Sequence, residues 1–199
     1  IESPYDVRTF TFSGDKAVEI PNLVGESWAG SQFIEDQFKV GICTAISVTM
    51  KARKHFGIDF SDDFQYLLQK KFIDGNWNEG SSAFSACKVG NKYGFLPASE
   101  WNHTTLKDRK ISYAKYIKKL QSIPDAEIER LLTLSSKYKI AAYAKIANNI
   151  NSAAAAIAEN GSLIARFVIG NEWWTKPIEP LQKPLNPISG HLVNITKRH

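Results

Sequence analysis

Apolar residues recur every three or four positions in several parts of the chain, which is the spacing of one face of an α-helix. After Cys43, this spacing connects Val48, Ala52 and Phe56, and Gly57 follows directly. Glycine adopts the left-handed conformation that ends many helices. The pattern therefore predicts a buried helix that has Cys43 in its first turn and stops at Gly57.

The same helical spacing, and segments in which apolar and polar residues alternate, predict the remaining helices and strands. Three further helices are predicted. The first is capped by Ser61 and has an apolar face formed by Phe64, Leu67, Leu68 and Phe72. The second begins near Pro124, and the third is an alanine-rich helix over 152–159 that ends before Gly161. Alternating apolar and polar residues predict a hairpin of strands 8–12 and 17–20, and strands over 138–146 and 162–169. Helices and strands together indicate an α+β protein.

Length and composition are those of one globular unit. The chain has 199 residues, of which 43% are hydrophobic and 12% aromatic, enough to bury a sizeable core as one domain or as two lobes. No stretch approaches the roughly eighteen consecutive apolar residues that a membrane span needs. The sequence therefore predicts a soluble protein without a membrane partner.

The net charge of +5 raises the question of nucleic-acid binding. The densest basic segment, 107–119, alternates charged residues with Tyr113 and Tyr116, and we interpret it as a solvated segment rather than a binding arm. The four histidines and two cysteines show none of the spacings of metal sites. We therefore predict no nucleic acid, no metal and no cofactor.

Three separated residues could form a thiol-based catalytic site. Cys43 opens a predicted helix, where free backbone N–H groups and the helix dipole favour a thiolate. His191 is the best candidate for an imidazole partner, since a thiolate and an imidazolium stabilise each other. Gln37, six positions before Cys43, could donate its side-chain amide to an oxyanion beside the Cys43 N–H. Taken singly, each residue is better explained as structural: a small buried thiol, a core histidine and a surface amide. The three together favour a catalytic site.

The segment Gln37-Phe38-Lys39-Val40-Gly41-Ile42-Cys43-Thr44-Ala45 resembles the nucleophile segment of papain-like cysteine peptidases. The threonine after the cysteine resembles the bacterial and viral branch of that family. Further blocks follow in the family's order: 78–82, 83–97, and the histidine strand Gly190-His191-Leu192-Val193. In papain, too, the catalytic cysteine and histidine lie far apart in the sequence.

This resemblance implies a two-lobe fold over 1–199, with a helical left lobe carrying Cys43, a sheet-rich right lobe carrying His191 and the active-site cleft between them. It implies that Glu79, Gly80 and Gly190 bind substrate, with the Gly80 backbone pairing with an extended peptide. Residues 1–30 would be an N-terminal arm or a propeptide remnant. The family's Asn or Asp lies well beyond the histidine, whereas this sequence ends at His199. Three interpretations stay open: a C-terminal segment is missing, the orienting residue comes from elsewhere, or none exists and activity is reduced.

The predicted function is that of a cysteine endopeptidase acting on peptides or proteins through a Cys43 thiolate, a His191 imidazolium and an acyl-enzyme. Two alternatives stay open: a catalytically weakened papain-like binding scaffold, and a thiol acyltransferase or deamidase.

Two cysteines with no evident disulfide indicate a reducing compartment or a virion-associated, bacterial or intracellular setting. Cys87 is predicted to pack in the interior rather than act as a second nucleophile.

Overall fold

The structure is a computed structural model, and it describes residues 10–12, 36–170 and 187–195. Its α-helices are α1 Cys43–Phe56, α2 Asp62–Leu68, α3 Ala83–Lys92, α4 Leu106–Arg109, α5 Tyr113–Gln121, α6 Asp125–Ser135 and α7 Ile150–Asn160. A π-helix, Gln69–Asp74, continues α2, and a 3₁₀ turn spans Ala98–Glu100. The strands are β1 Phe10–Phe12, β2 Ala144–Ile146, β3 Leu163–Gly170 and β4 Pro187–Ile195.

Helix α1 follows the prediction from the sequence. It ends at Gly57, whose φ of 69° is left-handed and whose N–H donates to the Arg53 carbonyl. Its buried face packs against α2 and α3, and another face contacts β3 and β4. Helix α1 therefore lies between the helical half of the molecule and the sheet.

Helix α2 begins as predicted but continues differently. Ser61 caps it by accepting a hydrogen bond from the Phe64 N–H at 3.1 Å. After Leu68 the chain forms a π-helix, which is wider than an α-helix and changes the direction of the following side chains. Phe72, predicted on the buried face, is accordingly 40% exposed.

The core of the helical half includes a segment that the sequence analysis treated as solvated. Its buried members come from the loop before α1 and from five helices and their flanks: Val40, Ile42, Ala45, Ile46, Phe64, Tyr66, Leu67, Leu68, Val89, Leu96, Tyr116, Ile117, Leu120, Ile123, Ile128 and Leu131. In the basic segment 107–119, Arg109 is only 4% exposed and Tyr116 is fully buried. The prediction is confirmed for the lysines of this segment, which are exposed, and wrong for Arg109 and Tyr116, because α5 also has one apolar face.

The described strands form two small two-stranded sheets. Strands β3 and β4 are antiparallel, with His191 opposite Phe167. Strands β1 and β2 are parallel, with Phe10 opposite Ala144. Within the described ranges, no helix combines the length and apolar character needed to cross a membrane.

The predicted strand over 138–146 is mostly wrong, because only its last three residues form β2. The backbone of the earlier part bonds to the end of α3 instead. The Tyr138 carbonyl accepts from the Phe95 N–H at 3.0 Å, and the Ile140 N–H donates to the Gly90 carbonyl at 3.2 Å. The predicted strand 17–20, and all of 1–30 apart from β1, lie outside the described residues.

Candidate active site

The strand that carries His191 reaches the first turn of α1. The backbone of Leu192 forms a hydrogen bond with the Cys43 thiol. One helical turn later, the Ser47 hydroxyl donates to the Leu192 carbonyl at 3.0 Å. Because His191 directly precedes Leu192, the two residues predicted as nucleophile and base lie on elements that are in contact.

Helix α1 covers one edge of β4. In an antiparallel pair, the N–H and C=O of one residue point to the same edge of its strand. Those of Leu192 point to α1 rather than to β3. Ser47 is 2% exposed and Leu192 is 5% exposed, so Cys43 and Ser47 satisfy buried backbone groups that no neighbouring strand reaches in the described part of the sheet.

The surroundings of Cys43 and of His191 favour the neutral form of each side chain. Burial raises the pKa of the Cys43 thiol, and the backbone N–H groups of Leu192, Thr44 and Cys43 oppose this rise without overcoming it. Burial also lowers the pKa of the His191 imidazole. The lowered thiol pKa predicted from the helix terminus is therefore not found, because the loss of solvent outweighs the local N–H groups.

Gln37 lies in a tight loop before α1. The Val40 N–H donates to the Gln37 carbonyl at 3.3 Å, and the Ile42 N–H donates to the Val40 carbonyl at 2.9 Å. The Gln37 side-chain oxygen is buried and accepts no hydrogen bond from the described residues. Gln37 lines an open cavity of about 420 Å³ together with the rest of the loop, 36–41, and Glu79.

Glu79 connects the predicted substrate loop to the nucleophile segment. Its carboxylate accepts a hydrogen bond from the Gly41 N–H at 2.9 Å. A Cβ atom on Gly41 would lie 2.8 Å from the Glu79 Cγ and 3.3 Å from the Gly80 nitrogen. Glycine is therefore needed at position 41 because two loops approach closely there.

The backbone of Gly80, predicted to pair with an extended substrate, already has partners within the chain. Its N–H donates to the Tyr66 hydroxyl at 3.1 Å, and its carbonyl accepts from the buried Lys70 ammonium at 2.9 Å. Its φ of 83° favours glycine. Pairing with a peptide would require these groups to exchange partners.

Gly190 lies opposite Val168 in the sheet. A Cβ atom there would collide with the Arg166 guanidinium, which passes over this glycine. The space that the missing side chain leaves is thus filled by Arg166. The predicted contact of Gly190 with substrate stays a prediction.

Helix α1 carries a polar stripe that was not predicted from the sequence. Ser47, Lys51 and Lys54 follow Cys43 on one face, and each contacts the sheet half. The Lys51 ammonium donates to the Ser162 carbonyl at 2.6 Å, and Lys54 donates to the Gly161 carbonyl at 2.8 Å. Polar residues three or four apart on an otherwise buried helix could have revealed this stripe.

Cys87 differs from Cys43 in its surroundings. Burial raises its pKa to about 11, although the nearby Lys51 ammonium lowers it. Such a thiol is mostly protonated near neutral pH, which suits interior packing.

Among the described residues, no three His, Cys, Asp or Glu side chains lie close enough together to hold a metal ion.

The fold of this chain is similar to that of a protein of known structure. No model of a protein family matches the chain, and the search of curated proteins finds no match. Among solved structures, the chain is similar to xylellain, a cysteine protease from Xylella fastidiosa, with a TM-score of 0.67 and 21% sequence identity. This similarity covers 98% of this chain and 75% of that one. The α+β papain-like fold predicted from the sequence is therefore confirmed.

Proposed function

We propose that the protein is a cysteine endopeptidase in which Cys43 is the nucleophile. The thiol sulfur attacks the scissile carbonyl and forms a carbon–sulfur bond, and the amine leaves. Water then hydrolyses the acyl-enzyme and frees the thiol. The proposed substrate is a peptide or protein, as the resemblance to papain-like peptidases implies, and the open cavity of about 420 Å³ lined by Gln37 and Glu79 offers space for it.

His191 is the proposed base and acid of this cycle. The pKa of Cys43 is raised and that of His191 is lowered, so the resting pair is a thiol and a neutral imidazole. The imidazole accepts the thiol proton as the sulfur attacks and later gives it to the leaving amine. In this mechanism the proton moves during the attack, whereas the prediction from the amino-acid sequence was an ion pair formed beforehand.

Gln37 and the Cys43 backbone N–H are the proposed oxyanion donors. A carbonyl under attack gains negative charge on its oxygen, and fixed N–H groups stabilise that charge best when they need not reorganise. Gln37 is tied into a turn by the Val40 N–H. Glu79, Gly80 and Gly190 are proposed to contact the substrate chain around these groups.

The observation that carries the proposal is the contact between β4 and the first turn of α1, made by Leu192 with Cys43 and Ser47. Because of this contact, strand β4, which carries His191, lies against helix α1, which carries Cys43. The test is hydrolysis of a protein substrate such as casein, followed by mass spectrometry of new peptide termini. A peptidyl epoxide should label Cys43 and block hydrolysis.

The variants Cys43→Ala and His191→Ala should each abolish hydrolysis, and Cys87→Ala should retain it. If the epoxide labels Cys43 no faster than Cys87 and no new termini form, the peptidase proposal is wrong. Ammonia release without new termini would instead support an acyltransferase or deamidase.

A papain-like binding scaffold is the second candidate. The raised pKa of Cys43 and the lowered pKa of His191 favour it, because both oppose a reactive ion pair. A scaffold would bind peptides in the cleft without cleaving them. Peptide binding by a protein that neither hydrolyses nor reacts with the epoxide would identify it.

A further inference from the structure

The loop that carries Gln37 is held from outside by the turn at the end of α4. The Lys39 N–H donates to the Arg109 carbonyl at 3.1 Å. The Lys110 ammonium lies 4.6 Å from the centroid of the Phe38 ring, a cation–π contact. Two consecutive residues of one turn therefore fix the two residues that directly follow Gln37.

Phe38 has an unfavourable backbone conformation that depends on such contacts. Its φ is +52°, in the left-handed region that residues with side chains rarely adopt. The Asp36 carboxylate accepts its N–H at 2.7 Å, and Lys110 covers its ring. A strained residue persists only where its surroundings determine its conformation, and such residues are concentrated at functional sites. If Phe38 relaxed, the adjoining Gln37 would turn away with it.

The supporting turn is anchored in the core by a buried charged cluster. The Arg109 guanidinium lies 2.9 Å from an Asp63 oxygen and 3.3 Å from an Asp62 oxygen. Asp62 also accepts a hydrogen bond from Thr49 of α1. The helix that carries Cys43 and the loop that carries Gln37 thus share one rigid support.

We propose that Arg109 and Lys110 are positioning residues for the oxyanion donor Gln37. Arg109 acts through its backbone carbonyl and its buried side chain, and Lys110 acts through the Phe38 ring. Neither touches the reacting atoms. This inference rests on the proposed function, because it assigns Gln37 to the oxyanion.

The test uses the variant Lys110→Met, which keeps an apolar stem and removes the charge, with Lys107→Met as the matched control. Both lysines are exposed, and Lys107 makes no cation–π contact within the described residues. The turnover number kcat should fall about two- to fivefold in Lys110→Met, the loss expected for an exposed cation–π contact. KM should change little, and Lys107→Met should behave as the unaltered protein.

Two reagents separate positioning of the oxyanion donor from general damage. A peptide aldehyde forms a carbon–sulfur bond with Cys43, and its carbonyl electrons move to the oxygen, which needs the oxyanion donors. Iodoacetamide alkylates the thiol with loss of iodide and creates no oxyanion. Lys110→Met should weaken aldehyde binding by the same two- to fivefold and leave the alkylation rate unchanged. Equal losses with both reagents, or no loss with either, would overturn the inference.

Failure of the proposed function has a different result. If the unaltered protein neither cleaves peptides nor binds the aldehyde, the peptidase proposal fails, and amide hydrogen exchange then tests the positioning itself. Exchange over residues 38–41 should be faster in Lys110→Met than in Lys107→Met, with α1 unchanged. Identical exchange in the two variants would overturn the positioning role.

Discussion

Two opposing effects act on the pKa of the Cys43 thiol. Its place at the start of α1 gives it backbone N–H neighbours that stabilise a thiolate, and the sequence alone indicated this. Burial against β4 removes solvent from the same sulfur, and this effect is the larger one. The position of a residue in its helix could be predicted, whereas its loss of solvent depended on a strand almost 150 residues away.

The first prediction is the pH dependence of Cys43 alkylation. The thiolate is the reactive form, so a raised pKa leaves less of it at neutral pH and moves the midpoint of the rate to higher pH. Iodoacetamide labelling of the Cys87→Ala variant between pH 5 and pH 10 should give a midpoint above that of free cysteine measured alongside. A rate plateau below neutral pH would instead demonstrate a thiolate–imidazolium pair.

Helix α1 shows how one element joins the two halves of the molecule. Its apolar positions, and its end at Gly57, could be predicted from periodicity, because helix geometry is local. The polar stripe of Ser47, Lys51 and Lys54 meets carbonyls of residues 161, 162 and 192. Those partners lie far along the chain, so only the folded structure identifies them.

The second prediction concerns Ser47 as the link between α1 and β4. Ser47→Ala leaves the buried Leu192 carbonyl without its hydrogen-bond donor, which should cost about 1–3 kcal/mol in the free energy of unfolding. Urea denaturation followed by circular dichroism measures this loss. The control Ser136→Ala, at an exposed helix end, should change stability by less than about 0.5 kcal/mol. Equal stability of the two variants would show that Ser47 is no link.

At the scale of the whole molecule, a buried charged cluster connects the helices around the site. Arg109 pairs with Asp62 and Asp63, and Asp63 also accepts from the Tyr116 hydroxyl at 2.7 Å. Arg109 and Tyr116 belong to the segment predicted to be solvated, and the two aspartates lie 46 or more residues before them. The apolar face of α5 covers the cluster, which periodicity within the basic segment did not reveal.

The third prediction is that Arg109→Met destabilises the fold strongly. The change leaves the Asp62 and Asp63 carboxylates without their cation in the interior, which should lower the free energy of unfolding by about 3–5 kcal/mol. Thermal and urea denaturation both measure it. Arg130→Met removes an exposed pair with Glu127 and should leave stability nearly unchanged. A similarly small effect at Arg109 would mean that the cluster is solvated.

The sequence by itself determined the α+β class, helix α1, the start of α2, helices α6 and α7, strand β3 and the candidate residues Cys43, His191 and Gln37. These features follow from local periodicity, helix ends and a motif read along the chain. The tertiary structure decided the pKa directions, the partners of Gly41 and Gly80, and the loss of the strand over 138–143. Each of these depends on burial or on hydrogen bonds between distant segments, which become defined only when the chain packs.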